Sequence, residues 1–393
     1  MNRIRRTAAA TVLALLLPLP LAAADTAWAA PAPASTSASA SDAAAPSPAG
    51  QLPSPTGPHA VGRSILHLVD QDRPDPWVPA AGPRRLMVSV YYPARPGTGG
   101  PAPYMTTEEA RLLLALKGAN FPPEALSGTR TWAHEDARPA PGRFPLVLLS
   151  PGFGQPRAML TSLAEDLGSR GYVVALVDHT YEAAGITFPD GRTLACAICD
   201  QPPAGGLQAI AESRAKDLSF VIDRLTGRHP AWSGARMIDP RRIGVAGHSI
   251  GGDAAAATMA GDPRVRAGVN MDGTFFAPVP ASGLGGRPFL MFGAQPDESP
   301  GLDSTWTDAW TSLDGWKRWL TVAGADHGSF TDLPLLGEEA GLPRPAGAIA
   351  AARGLELTRA YVAAFFDLQL KGVPQPLLDG PSPADPEIAF ARS

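Results

Sequence analysis

The chain has 393 residues, is 45% hydrophobic and 18% charged, and carries a formal net charge of −4 with an isoelectric point near 6.0. That length and apolar content suit one large α/β domain or two small ones with a sizeable core. The balance excludes the strongly basic surface of a nucleic-acid binder. Of the 33 basic residues only four are lysines (Lys117, Lys216, Lys317 and Lys371), and no basic run lies outside the extreme N-terminus.

That N-terminus reads as a signal peptide over residues 1–29. Arg3, Arg5 and Arg6 precede an apolar run from Ala8 to Leu17, and Ala27-Trp28-Ala29 offers a cleavage site, with Ala24 as a second one. The apolar run is short and interrupted by Pro18 and Pro20, so no integral membrane segment is expected in the mature chain. Removal of residues 1–29 takes away three arginines and Asp25, which moves the net charge from −4 to −6. Residues 30–58 are almost entirely Ala, Pro, Ser, Thr and Gly, and read as a disordered linker. The remainder, 59–393, is expected to be the catalytic domain, and the exported protein to be extracellular.

From residue 60 onward, strand-like and helix-like segments alternate. Strand-like runs fall at Ile65–Leu68, Leu86–Tyr92, Phe144–Leu149, Tyr172–Val177, Ile243–Ala246, Ala267–Met271, Pro288–Phe292 and Trp319–Val322. Helical patterns fall near Glu108–Lys117, Arg157–Ser169, Gln208–Leu225, Gly252–Met259, Leu302–Leu313 and Ile349–Leu370. Short buried runs between amphipathic helices predict a mostly parallel central sheet with helices on both faces. The first two strands lack an intervening helix, which predicts an antiparallel N-terminal edge. This is the layout of an α/β-hydrolase.

The paired cysteines, Cys196 and Cys199, are the only two in the chain. With no second pair to complete a zinc site, and with export expected, they predict a local disulfide. No zinc or calcium motif is present, and no metal or other cofactor is expected. Trp306 and Trp310 recur with Leu302 and Leu313 at helical spacing, which predicts a core-facing stripe. The alternative is transient contact with a lipid surface. Leu112 to Leu114, with Leu116, read either as core or as part of a lid.

The chemistry centres on Gly247-His248-Ser249-Ile250-Gly251, between a β-branched run and four alanines, Ala254 to Ala257. Strand, sharp turn and helix in that order is the context of a nucleophile elbow. The bland alternative is a glycine-rich loop whose serine caps a helix. Two further candidates end strands. His327 follows Trp319–Val322 and is the expected general base; His179 is the best substitute. The acid is either Asp272, after Ala267–Met271, or Asp297, after the next strand, and the residue pattern leaves that choice open. An oxyanion hole would use the amide of Ile250, which follows the nucleophile, and that of Phe153 in the turn Ser150-Pro151-Gly152-Phe153-Gly154.

These residues are similar to the secreted and group II platelet-activating-factor acetylhydrolases, a lipase-like family of α/β-hydrolases. The resemblance runs from about Val61 to Leu370. It includes Leu66-His67-Leu68-Val69-Asp70 with Arg73-Pro74-Asp75-Pro76-Trp77, and Phe144-Pro145-Leu146-Val147 with Ser150-Pro151-Gly152-Phe153. It continues through Arg170-Gly171-Tyr172-Val173-Val174 to Asp178-His179, Arg214-Ala215-Lys216-Asp217, and the Ser249 pentapeptide. The resemblance implies that Asp272, in Asn270-Met271-Asp272-Gly273, is the acid. It also implies a calcium-independent serine esterase or lipase, acetylhydrolase- or phospholipase A2-like, acting on an ester or lipid substrate. The chain departs from the family at Pro151-Gly152, where His-Gly is common, and at Gly273-Thr274, where an aromatic is common. A cutinase-like polyesterase or a triacylglycerol hydrolase would use the same three residues. A third reading is a silent binding protein on the same scaffold.

Overall fold

Eight β-branched and apolar runs form the strands expected of them. In a computed structural model of the chain, which describes residues 50–392, they assemble with three further strands into one sheet of eleven. In chain order the strands are β1 (Ala60–Pro74), β2 (Pro83–Ala94), β3 (Gly100–Pro103), β4 (Arg130–Glu135), β5 (Phe144–Ser150) and β6 (Val173–His179). A separate hairpin follows, β7 (Gly185–Thr187) with β8 (Thr193–Ala195), and then β9 (Ile238–His248), β10 (Val265–Met271), β11 (Phe289–Ala294), β12 (Lys317–Val322) and β13 (Ile388–Arg392). The order across the sheet is β13-β12-β11-β10-β9-β5-β6-β2-β1-β4-β3. Strands β12 through β6 in that order run parallel, so their carboxyl ends share one rim.

The helices are α1 (Thr107–Lys117), α2 (Pro123–Ser127), α3 (Thr161–Ser169), α4 (Gly206–Thr226), α5 (Ile250–Gly261), α6 (Ser304–Ser312), α7 (Leu333–Glu339) and α8 (Ala351–Lys371). They cover both faces of the sheet, and each face has its own apolar core. Val147, Leu149 and Val269 face α3 and α8 on one side; Leu146, Leu148 and Val245 face α4 and α5 on the other. This alternation along single strands is the period of two that a doubly covered sheet imposes.

The sheet extends beyond the expected strands at both edges, and one expected boundary needs correction. The N-terminal edge of the sheet is antiparallel as expected: β1 pairs antiparallel with β2, and β4 and β3 lie outside them as a further antiparallel pair. The second edge is also antiparallel, through β13. Residues 50–58, expected in the linker, are bound to the domain. Leu52 is buried and its amide donates to the Arg130 carbonyl at 3.0 Å, while the Thr56 hydroxyl donates to Asp166 at 2.6 Å. The physical reason is that this short stretch carries one large apolar side chain and several backbone donors, enough to satisfy a waiting groove. The expected signal peptide and the linker through residue 49 lie outside the described residues.

The tryptophan stripe faces inward: Trp306 is fully buried and Trp310 packs against Trp319. Leu302 precedes α6 and is exposed, so it does not belong to the stripe. On α1, Leu113 and Leu114 are buried and Leu116 is exposed. Cys196 and Cys199 form a disulfide, with Cα atoms 5.7 Å apart.

Candidate active site

The turn after β9 is built from residues that tolerate no bulk. Ser249 sits at φ 57° and ψ −129°, outside the comfortable range of an L-residue, as the sharp strand-to-helix turn demands. A Cβ on Gly247 would lie 2.1 Å from the Gly251 carbonyl oxygen, and one on Gly251 would lie 2.1 Å from that of Ser150. The turn therefore packs directly on the neighbouring strand end. The Ser249 amide donates to the Met271 carbonyl at 2.9 Å, fastening the elbow to β10.

Three of the expected site residues meet there. His327 Nε2 lies 2.9 Å from Ser249 Oγ, and His327 Nδ1 lies 2.6 Å from Asp272 Oδ2. A carboxylate only accepts, so Nδ1 carries the proton and Nε2 accepts from the serine hydroxyl. The other Asp272 oxygen accepts from the Ala294 amide at 2.6 Å, which holds the carboxylate against β11. Asp272 is almost fully buried, whereas the His327 side chain is 59% exposed, so the nucleophilic end of this chain opens to solvent. Such a relay can take a proton from the hydroxyl and return one to a leaving group.

The competing candidates are elsewhere. Asp297 lies on an exposed turn, and Asp272 occupies the ring nitrogen it would need. His179 is buried, with Nδ1 donating to Asp217 at 2.8 Å and Nε2 accepting from Ser150 at 3.0 Å.

Phe153 and Ile250 come together through a small apolar cluster with Ile198, Ile210 and Ala277. Among the described residues, neither the Phe153 nor the Ile250 amide donates to a protein acceptor, so both are available to a ligand oxygen. The disulfide joins this cluster through Cys196, and Cys199 Sγ would be 3.9 Å from a Cβ on Gly154.

Three contributors escaped the sequence reading. Asn270 is buried; its side chain donates to the Gly273 carbonyl at 2.7 Å and accepts from the Gly273 amide at 2.8 Å, locking the turn that carries Asp272. An asparagine two residues before a strand-end aspartate was the available signal. His248 Nε2 donates to the His327 carbonyl at 2.6 Å and so holds the histidine loop. Burial, and then the neighbouring His327, push its pKa down to about 3, so it stays neutral. Burial, and then the Asp272 charge, push the Glu298 carboxyl up to about 8.

Comparison with known proteins decides the family. The family described as platelet-activating factor acetylhydrolase, isoform II, matches residues 126–194, from α2 to β8. An Arthroderma benhamiae protein named "Probable 1-alkyl-2-acetylglycerophosphocholine esterase" is 30% identical over 376 residues, 86% of this chain and 93% of its own. The chain belongs to the platelet-activating factor acetylhydrolase family. It is a carboxylic ester hydrolase with the α/β-hydrolase fold. A ferulic acid esterase from Streptomyces cinnamoneus, whose structure is solved, is 46% identical with a TM-score of 0.79, covering 87% of this chain and 99% of that one. A bis(hydroxyethyl) terephthalate hydrolase of Streptomyces coelicolor is 30% identical over 128 residues, 33% of this chain and 32% of its own.

Proposed function

We propose that the protein is an exported serine esterase in which Ser249 is the nucleophile, His327 the general acid and base, and Asp272 the orienting acid. The observation that carries this reading is the hydrogen-bonded series Ser249–His327–Asp272 on the rim where the parallel strands end. In the first half-reaction Ser249 Oγ bonds to the ester carbonyl carbon while its proton passes to His327 Nε2. The carbonyl oxygen takes the negative charge, and the Phe153 and Ile250 amides stabilise it. Collapse breaks the bond to the alcohol oxygen, which leaves with the proton from His327. Water, deprotonated by the same ring, then attacks the acyl-enzyme and releases the acid and Ser249. No metal or organic cofactor takes part in these steps.

Export is supported by the Cys196–Cys199 disulfide, a bond sustained in oxidising compartments. We place a signal peptide at 1–29, a linker up to the first packed residues near Gly50, and the catalytic domain from there onward. The proposed substrates are carboxylic esters with short or oxidised acyl chains, including an acetyl group at the sn-2 position of a phospholipid. A second reading is favoured by the open His327 end and by the names of two relatives: esters of aromatic acids, including polyester fragments.

A series of p-nitrophenyl esters from acetyl to dodecanoyl, run beside a short sn-2 phospholipid, methyl ferulate and bis(hydroxyethyl) terephthalate, separates the two. Highest kcat/KM on the two-carbon to four-carbon esters and the phospholipid supports the first reading. Highest kcat/KM on the ferulate or terephthalate replaces it with the second.

A further inference from the structure

Under the turn that carries Phe153 lies a cluster of buried charges that the proposed chemistry does not use. Arg214, on α4, is 1% exposed; its Nε donates to Glu182 Oε2 at 2.6 Å, and its Nη1 donates to the Pro151 carbonyl. Glu182 is itself fully buried and accepts from Trp77 Nε1 at 2.7 Å and Arg84 Nη2 at 3.1 Å. Burying such an ion pair seldom stabilises a protein more than apolar residues of the same size would. Its presence here calls for a geometric role.

The backbone shows what is being held. The Phe153 amide belongs to the peptide plane between Gly152 and Phe153. The plane before it contains the Pro151 carbonyl, held by Arg214. The plane after it contains the Gly154 amide, which donates to the Glu182 carbonyl at 2.9 Å. Glu182 therefore fixes both neighbouring planes, one through its backbone and one through its carboxylate and Arg214. The Ser150 hydroxyl, 3.4 Å from Arg214 Nη1, ties in the first residue of the turn. A Cβ on Gly152 would lie 2.9 Å from His248 Nδ1, so the turn packs directly against the elbow.

We propose that Arg214 is a positioning residue for ester hydrolysis, whose guanidinium, anchored by Glu182, aims the Phe153 amide at the developing oxyanion. This rests on the reading of Ser249 as nucleophile and Phe153 as oxyanion donor. Transition-state charge is stabilised by preorganised donors, and misplacement of a donor by about an ångström costs on the order of a hundredfold in rate. A lysine at 214 keeps the charge beside Glu182 but lacks the fork that spans two acceptors.

The test is steady-state kinetics on p-nitrophenyl acetate with Arg214→Lys and with the charge-balanced pair Arg214→Met/Glu182→Gln. Each is checked by circular dichroism. We expect kcat to fall roughly tenfold to a hundredfold with KM changed less than about threefold. Affinity for a trifluoromethyl ketone, whose adduct places an oxyanion in the hole, should fall in proportion to kcat. Inhibition by the product acetate should not change. Retention of kcat within about twofold in either folded variant overturns the proposal. So does a matching loss in KM and acetate affinity, which marks general loosening, and so does failure of both variants to fold. Fluorophosphonate labelling of the wild-type protein at Ser249 is run alongside; its absence overturns the underlying reading instead, whatever Arg214 does.

Discussion

At the residue scale, the site depends on two left-handed backbone positions, Ser249 at φ 57° and Asp272 at φ 58°. Both sit at the tip of a parallel strand, and both are fixed by groups from neighbouring strands. Asp272 matters through one hydrogen bond, to His327 Nδ1, which selects the tautomer whose Nε2 can accept from Ser249. Replacing Asp272 with Asn offers that nitrogen a donor in place of an acceptor in one rotamer and removes the charge in both. We expect Asp272→Asn to lower kcat on p-nitrophenyl acetate by several orders of magnitude, with a loss on the order of 10⁴ known for such triads. Asp297→Asn, on an exposed turn, should leave kcat within roughly tenfold. The reverse ranking, read from the same kinetic measurement, would move the acid to Asp297. The positions of Ser249 and His327 at strand ends were legible in the sequence because each has a local signature, the glycine-flanked elbow and the strand-end turn. Asp272 was not legible from the residue pattern alone, because two aspartates end adjacent strands; the family resemblance singled it out, and the fold brings it to the ring. Asn270 and His248 escaped notice because their work is done across the turn, by side chain to backbone.

At the scale of elements, all eight strands and all six helices with clear periodicity form. The unread ones are short or irregular: β3, β7 and β8 have three or four residues, and α2 has five. Segments of that length carry no period to read. β4, with Arg130, His134 and Glu135 among its six residues, has too polar a composition to announce a strand. It forms because Glu165 accepts from the Trp132 and Ala133 amides, at 2.9 and 2.7 Å, and supplies the partners that composition does not suggest. The domain begins earlier than its composition suggests for a similar reason. Residues 50–58 look like linker, yet a strand end and the polar end of α3 capture their backbone.

At the scale of the whole molecule, the fold shelters several carboxyls that burial pushes up. Glu165, Asp253 and Asp332 are raised to about 7, and Glu298 to about 8. In the unfolded chain these groups lose their protons near pH 4. The native state therefore binds more protons than the unfolded state from about pH 4 up to about pH 7–8, and stability is lost as the pH rises through that window. Buried His248 and His179 have lowered pKa values and act in the opposite sense, but only below about pH 6.5, where unfolded histidines take up protons. Between pH 6.5 and 8.5 the carboxyls are left to decide. We expect Tm to fall by at least about 2 °C over that interval in differential scanning calorimetry. The slope should shrink in Asp253→Asn; a flat or rising Tm in the wild-type protein would contradict this account.

The sheet brings Ser249, Asp272 and His327 to one rim from three separate strands, and the account stands on Ser249 being the atom that attacks the ester. Incubation with a fluorophosphonate followed by peptide mass spectrometry measures this directly. The account predicts one adduct, on Ser249, with parallel loss of esterase activity, and neither labelling nor turnover in a folded Ser249→Ala variant. Undiminished labelling or turnover in that variant would contradict it.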